Sequence, residues 1–253
     1  MRHALAGLAL ACAAAIAAAA PLAVCVDADD APFSSAATPE RGIDIGVAQA
    51  LAERLQRPLK LVWVTVPNRG GLGKALRQTL AAGECDAYLG IPQGPEMARE
   101  LAERQLAASG AYLGLGYLLV AAPGKPVPGA AALRAARKIG AVTATPADLY
   151  LHRMKLPRAP YGNSAALIAA LRAGEVDLAL IWSSALADEA ARDLVRADTP
   201  PDDADLRTGL AVALRRADAD LARQLTAAVD ALRADGRFDA IAARHGLPRV
   251  APP

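Results

Sequence analysis

Aromatic side chains make up only 4% of the 253 residues, and histidine occurs three times. So few rings exclude a base-stacking platform for single-stranded nucleic acid, and so few imidazoles exclude a multi-histidine metal centre. Neither sign of charge prevails, with 28 Lys plus Arg against 26 Asp plus Glu and a formal net charge of +2. That balance leaves no electrostatic footprint for nucleic acid or an anionic membrane. What the chain does have is apolar bulk: 54% of its residues are hydrophobic and 21% charged. It can bury a large core, is neither disordered nor fibrous, and has the length of one or two domains.

The start of the chain points to export. Met1-Arg2-His3 is a short basic opening, followed by an apolar run from Ala4 to Ala20 and then Pro21. This reads as a cleavable signal over residues 1–23, with the cut between about Ala19 and Ala23. The run is alanine-dominated and too weakly apolar to serve as a membrane anchor. A periplasmic mature chain that does not insert in the membrane is therefore expected. Cys12 leaves with the signal, and the remaining pair, Cys25 and Cys85, reads as one disulfide in an oxidising compartment; two buried thiols are the alternative. Both cysteines fall on predicted strands, Leu22 to Asp27 and Cys85 to Ile91, which can lie side by side. A bridge closing a loop of that length stabilises by about 4 kcal/mol on the chain-entropy model.

Helical and extended patterns alternate along the chain. Ile43, Val47, Leu51 and Leu55 recur at helical spacing, Pro58 resets the chain, and Leu59 to Val64 reads as a strand. A helix from Leu72 to Ala82 ends at Gly83. Further on, Lys138 to Val142 is a strand, and Thr145-Pro146-Ala147-Asp148 opens a helix with a capping hydroxyl, a first-turn proline and a first-turn acid. Gly174 closes another helix before Val176 to Trp182, a continuous apolar strand of the kind buried in parallel sheets. Two such groups imply an α/β protein with two lobes. The Pro/Gly-rich connector Pro123 to Gly129 is where the chain is expected to cross between lobes, with a return near Thr208 to Leu214. The closing helices, Asp218 to Asp235 and Arg237 to His245, are expected to pack on the first lobe. Two connections make a hinge.

A resemblance rests on residues spread over the whole mature chain. Ala217 to Leu221 followed by Ala227 to Ile241 looks like the closing signature of family 3 periplasmic solute-binding proteins. Gly42-Ile43-Asp44-Ile45 is similar to that family's opening Gly-Phe-Asp-Ile, and Leu80 to Asp86 and Leu171 to Asp177 match its two Leu-x-x-Gly-x-x-Asp segments. The resemblance implies a two-lobed clamshell of the type II periplasmic-binding-protein kind with a two-strand hinge. Lobe I would comprise residues 24–116 and 212–253, lobe II residues 117–211, and a ligand would sit in the cleft between them.

The chain departs from the family's amino-acid binders at both ends of their site. Where that resemblance places a carboxylate-clamping arginine, this chain has Met97 or Ala98, with Arg99 out of register. The second-lobe aspartate falls on Trp182, and a ligand-stacking aromatic falls on Asp30. The pattern present instead is similar to binding-protein homologues associated with pyrroloquinoline-quinone methanol dehydrogenases, the MoxJ/XoxJ type. It is carried by Val24-Cys25-Val26-Asp27 leading to Pro32-Phe33-Ser34, Trp63 with Pro67-Asn68-Arg69-Gly70, Gly83-Glu84-Cys85-Asp86, Gly90-Ile91-Pro92-Gln93-Gly94, and Asp177 with Ile181-Trp182. The subgroup's fuller Trp-Gly-Pro is here Trp182-Ser183-Ser184.

The candidate cleft residues are Asp30, Ser34, Arg69 and Gln93 from the first lobe, and Thr143, Thr145 and Trp182 from the second. Tyr112 is expected to join Trp182 as an aromatic anchor. Trp182, at a strand's C-terminal end, is the strongest of these. No cofactor, metal set or catalytic constellation emerges. Gly70-Gly71-Leu72-Gly73-Lys74 lacks the spacing of a phosphate loop; Asp27, Asp29 and Asp30 lack further carboxylates for a hard cation; His152 lies among surface cations. The chain is thus expected to be a non-enzyme, an accessory or activating partner of a periplasmic quinoprotein dehydrogenase. The alternatives are the substrate-binding component of an ABC transporter, partnered by a permease and holding a small non-amino-acid solute, and a dehydratase-type enzyme, for which only Asp30 and Glu96 could serve as acid and base.

Overall fold

The structure is a computed structural model that describes residues 19–252. Most of the segment read as a signal, residues 1–18, lies outside the described residues. In chain order the elements are β1 (Leu22–Asp27), the short β2 (Asp29–Asp30) and β3 (Ser34–Ser35), α1 (Ile43–Arg54), β4 (Leu59–Val64), α2 (Gly71–Gln78), β5 (Ala87–Pro92), α3 (Pro95–Glu103), β6 (Leu106–Ala108) and β7 (Leu113–Ala121). There follow α4 (Ala130–Ala135), β8 (Ile139–Val142), α5 (Pro146–Arg153), β9 (Arg158–Tyr161), α6 (Ser164–Arg172), β10 (Leu178–Trp182), β11 (Val195–Arg196), β12 (Arg207–Arg215), α7 (Ala219–Ala234) and α8 (Arg237–Arg244).

The main sheet runs β4-β1-β5-β12-β7-β10-β8-β9. Two long strands, β7 and β12, stand at its middle and hold it together. The first half of β7 pairs with β12, Leu113 opposite Leu210 and Gly116 opposite Arg207, while its second half pairs with β10, Tyr117 opposite Trp182. The crossing between halves therefore lies within β7. The Pro/Gly connector at 123–129 comes afterwards as a turn leading into α4. This corrects the sequence reading: a strand whose backbone groups are shared between neighbours on either side crosses more cheaply than a loop, because no polar group is left unpaired. The sheet is also mixed. β10 pairs in parallel with β8 but antiparallel to β7, so its unbroken apolar run reflects burial on both faces and not an all-parallel sheet.

Separate cores lie on either side of the crossing strands. α1, α7 and α8 cover one face of the first, where Ile43, Val47 and Leu51 meet Val229, Phe238 and Ile241. α2 and α3 close the other face over Cys25, Leu76, Tyr88 and Leu101. In the second half, α6 packs Leu167, Ile168 and Leu171 on Leu118 and Ile181, and α5 packs Ala147 and Leu151 on Leu119 and Leu180.

Cys25 and Cys85 form a disulfide with their Cα atoms 5.8 Å apart. Cys85 precedes β5, which opens at Ala87, and Cys25 stands opposite Tyr88 in the sheet. The strand carrying Cys25 opens at Leu22, inside the span read as signal. Leu22 is fully buried, pairs with Leu59 and donates its N–H to the Pro58 carbonyl at 2.7 Å.

The C-terminal tail was not legible in the sequence. After α8 it forms a bridge to Gly114, and Val250 packs into the second-half core beside Leu118 and Leu186. Gly114 permits this approach, since a Cβ there would lie 2.2 Å from the Val250 carbonyl oxygen. The tail is thus a third chain segment laid along the crossing.

Candidate functional site

The C-terminal ends of β1 and β5 on one side and of β8 and β10 on the other face the gap between the two halves, where ligands collect in open α/β sheets. Trp182 ends β10 half-buried and packs against both the first core and the second-half core over α5. Its ring lies 4.8 Å from that of Tyr117, tilted by 54°. Beside it a cavity of about 560 Å³ opens between Ala31-Pro32 on one side and the Ala165, Ile168 and Ala169 face of α6 on the other. Small side chains on that helix face leave room for a bulky apolar group. The one cation on the wall, Arg172, is already engaged, donating to the Ala190 carbonyl at 2.6 Å and pairing with Asp193.

Asp30 and Ser34 stand opposite each other in the β2–β3 hairpin at the mouth of the gap. Partial burial, with Asp27 and Asp29 nearby, holds the Asp30 carboxyl above the usual carboxylate range. Ser34 is buried and its hydroxyl has no hydrogen-bond partner, as is also true of the Tyr88 hydroxyl. Gln93 follows β5 and meets the crossing strand. Its N–H donates to the Gly209 carbonyl at 2.8 Å, its own carbonyl accepts from Thr208 Oγ1 at 2.9 Å, and its side chain occupies the space a Cβ on Gly209 would need. Arg69 is exposed in the loop before α2.

Across the gap, Thr143 is exposed and donates its hydroxyl to the Tyr161 carbonyl at 3.1 Å. Thr145 caps α5: its Oγ1 donates to the Val142 carbonyl at 2.7 Å and accepts from the Asp148 N–H at 3.4 Å. Its hydroxyl is therefore already engaged in starting the helix.

Tyr112 is not a cleft anchor, and that expectation is corrected. It is 2% exposed, packs edge-on to Phe238 at 5.8 Å, and its hydroxyl donates to Asp44 Oδ1 at 2.7 Å while accepting from the Gly90 N–H at 3.0 Å. A phenol with both hydrogen-bonding roles filled inside the core has nothing left for a ligand. Its partner Asp44 is buried in the first turn of α1, and burial pushes its carboxyl up to about 7 even though the Tyr112 hydrogen bond works the other way. Sequence reasoning met Asp44 only as part of Gly42-Ile43-Asp44-Ile45 and gave it no role of its own. The buried positions around it, Ile43, Ile45 and Val47, were the available signal.

Gly70 and Gly71 lead directly into α2, as a helix entry. Among the described residues no group of three or more His, Cys, Asp or Glu could hold a metal ion. His152 is exposed on α5, and Glu96 is exposed in the first turn of α3, the same helix that carries Met97 and Arg99. No helix among the described residues is long and apolar enough to cross a membrane.

The family model for bacterial extracellular solute-binding proteins, family 3, matches residues 22–248. Among solved structures, MxaJ from Methlophaga aminisulfidivorans MPT is 19% identical with a TM-score of 0.64, the match covering 90% of this chain and 99% of that one. The periplasmic binding protein XoxJ from Methylobacterium extorquens AM1 is 22% identical with a TM-score of 0.58, over 91% of this chain and 99% of that one. The L-cystine solute receptor of Neisseria gonorrhoeae, in its unliganded open conformation, is 17% identical with a TM-score of 0.71, over 91% and 94%. At these identities the likeness is one of fold, that of two-lobed binding proteins. No curated protein sequence matches the chain.

Proposed function

The chain belongs to the bacterial extracellular solute-binding proteins of family 3, and from that premise we propose that it acts in the periplasm as an accessory or activating partner of a pyrroloquinoline-quinone-dependent alcohol dehydrogenase. The observation that carries this reading is the makeup of the gap. Where the resemblance places the amino-acid binders' clamping arginine and facing aspartate, this chain would have Met97 or Ala98 on α3 and Trp182 on β10. A bare α-amino acid would meet no free carboxylate clamp there, because Arg172 is engaged by Asp193 and the Ala190 carbonyl, and a charged end left unpaired costs about 1–3 kcal/mol. An apolar recess beside a half-buried tryptophan instead suits a bulky uncharged group carried by a protein surface, the kind of contact that dominates interfaces. The likeness in fold to MxaJ and XoxJ supports the same choice.

Lobe I is assigned to residues 24–116 and 212–253 and lobe II to 117–211, with β7 and β12 as the hinge strands. A bound partner would bias the closed state through its contacts with both lobes. The likeness in fold to the L-cystine receptor keeps one other reading alive, a transport component for a small solute. The test is an activity titration of the dehydrogenase purified from the same periplasm, with and without this protein. Complex formation at micromolar concentration together with raised turnover supports the accessory role. Unchanged turnover, no complex, and a small solute that raises this protein's melting temperature would transfer the assignment to transport.

A further inference from the structure

The geometry around β1 points to one bond as the site of processing: we propose that the exported chain is cut between Ala19 and Ala20, so that the mature protein begins at Ala20. The inference rests on the export reading and goes beyond it. Contacts around the start of β1 set the downstream limit. Arg57, in the turn between α1 and β4, donates from Nε to the Ala20 carbonyl and from Nη2 to the Pro21 carbonyl, both at 2.7 Å. The same guanidinium pairs with Asp86 at 3.3 Å, and Asp86 in turn accepts from the Ala23 N–H at 3.0 Å. Leu22 is fully buried and in register with Leu59. A cut after Leu22 or Ala23 would strip residues from a strand already in the sheet, and a cut after Pro21 would remove both carbonyls that Arg57 holds, leaving it Asp86 alone.

The Ala20–Pro21 bond is excluded on different grounds. It is a tertiary amide whose nitrogen carries no hydrogen, and the ring fixes the backbone just where a peptidase must hold its substrate extended. Upstream, the exporting peptidase needs small residues one and three positions before the cut. For the Ala19–Ala20 bond these are Ala19 and Ala17; one residue earlier they become Ala18 and the branched Ile16. Ala19 and Ala20 are exposed and precede the strand, so a cut between them removes nothing that the fold holds. The step is a hydrolysis: water adds its hydroxyl to the Ala19 carbonyl carbon, the amide C–N bond breaks, and the proton goes to the Ala20 nitrogen.

The test uses the full-length chain expressed in a bacterium with a general secretory pathway, followed by N-terminal sequencing and intact mass of the periplasmic protein. The expected sequence is Ala20-Pro21-Leu22. The variant Ala19→Gln, which alters an exposed residue ahead of the fold, places a large side chain directly before the cut. It is expected to reduce correctly processed protein at least tenfold. A mature start at Leu22, Val24 or anywhere before Ala20, or normal processing of Ala19→Gln, overturns the assignment while leaving export intact. An unprocessed chain retained with the cytoplasmic fraction overturns the export reading itself.

Discussion

Trp182 and Tyr117 are paired residues on adjacent antiparallel strands, and their rings touch at 4.8 Å between centroids just where β7 passes from one half of the molecule to the other. Because Trp182 also packs against both cores, it serves as both a wall of the gap and a wedge in the hinge. Trp182→Ala is expected to lower stability by about 2–4 kcal/mol, the lower part of the range for a large aromatic because the ring is only half-buried. It is also expected to abolish any effect of the protein on dehydrogenase turnover. Urea unfolding and the activity titration measure the two separately; loss of stability with turnover fully supported would remove Trp182 from the functional surface.

The twenty common amino acids should fail to bind at micromolar concentration. Loss of a charge-assisted clamp and of its opposite partner each removes about one to two decades of affinity. Calorimetry at neutral pH is the check, and a single micromolar binder among them would overturn this expectation.

Reduction of the Cys25–Cys85 bridge should lower stability by about 2–5 kcal/mol, since it closes a separation of 60 residues within the first core. Cys25→Ser with Cys85→Ser should behave like the reduced protein, and adding reductant should leave that variant's unfolding curve unmoved.

Asp44 makes stability depend on pH in a direction opposite to that of a surface carboxylate. Its folded value is raised to about 7 from an unfolded value near 3.8, so between those limits the folded state holds a proton that the unfolded state has released. Stability from this group is full below about pH 4 and falls as pH rises toward 7. Asp44→Asn keeps an acceptor for Tyr112 and cannot ionise. It should match the native protein in acid and exceed it at pH 8, by on the order of 4 kcal/mol at the limit of full linkage. Denaturation curves across that range give the answer; parallel pH profiles for the two proteins would refute it.

Gly114→Ala should dislodge the tail, because the new methyl would collide with the Val250 carbonyl oxygen. Loss of the valine from its pocket costs about 1.5–3 kcal/mol. Carboxypeptidase trimming back toward α8, absent in the native protein, is the accompanying sign.

Much of the fold was legible because its signals are local. The spacing of Ile43, Val47 and Leu51 gave α1, and Thr145-Pro146 with Asp148 gave the start of α5 with its cap. The lone mature cysteine pair gave the bridge. What escaped depends on contacts between distant segments. Tyr112 stands 68 residues from Asp44, and nothing near either residue announces that a phenol just ahead of β7 will satisfy a buried acid. The α6 wall of the cavity was equally silent, since Ala165 and Ala169 matter for the space they leave and not for any group they bring. α3 was missed because Gly94-Pro95 reads as a turn, and its short apolar face, centred on Leu101, is narrow.

The seating of Val250 bears on any attempt to divide the molecule. A fragment spanning residues 117–211 contains every strand and helix of the second half from Tyr117 onward, yet its hydrophobic interior is completed by Val250, which follows α8. Such a fragment would expose a valine-sized notch among Leu118, Leu186 and their neighbours. Co-expressing it with the complementary pieces, or supplying a peptide of residues 246–252 as a separate ligand, is therefore the natural route to a soluble half.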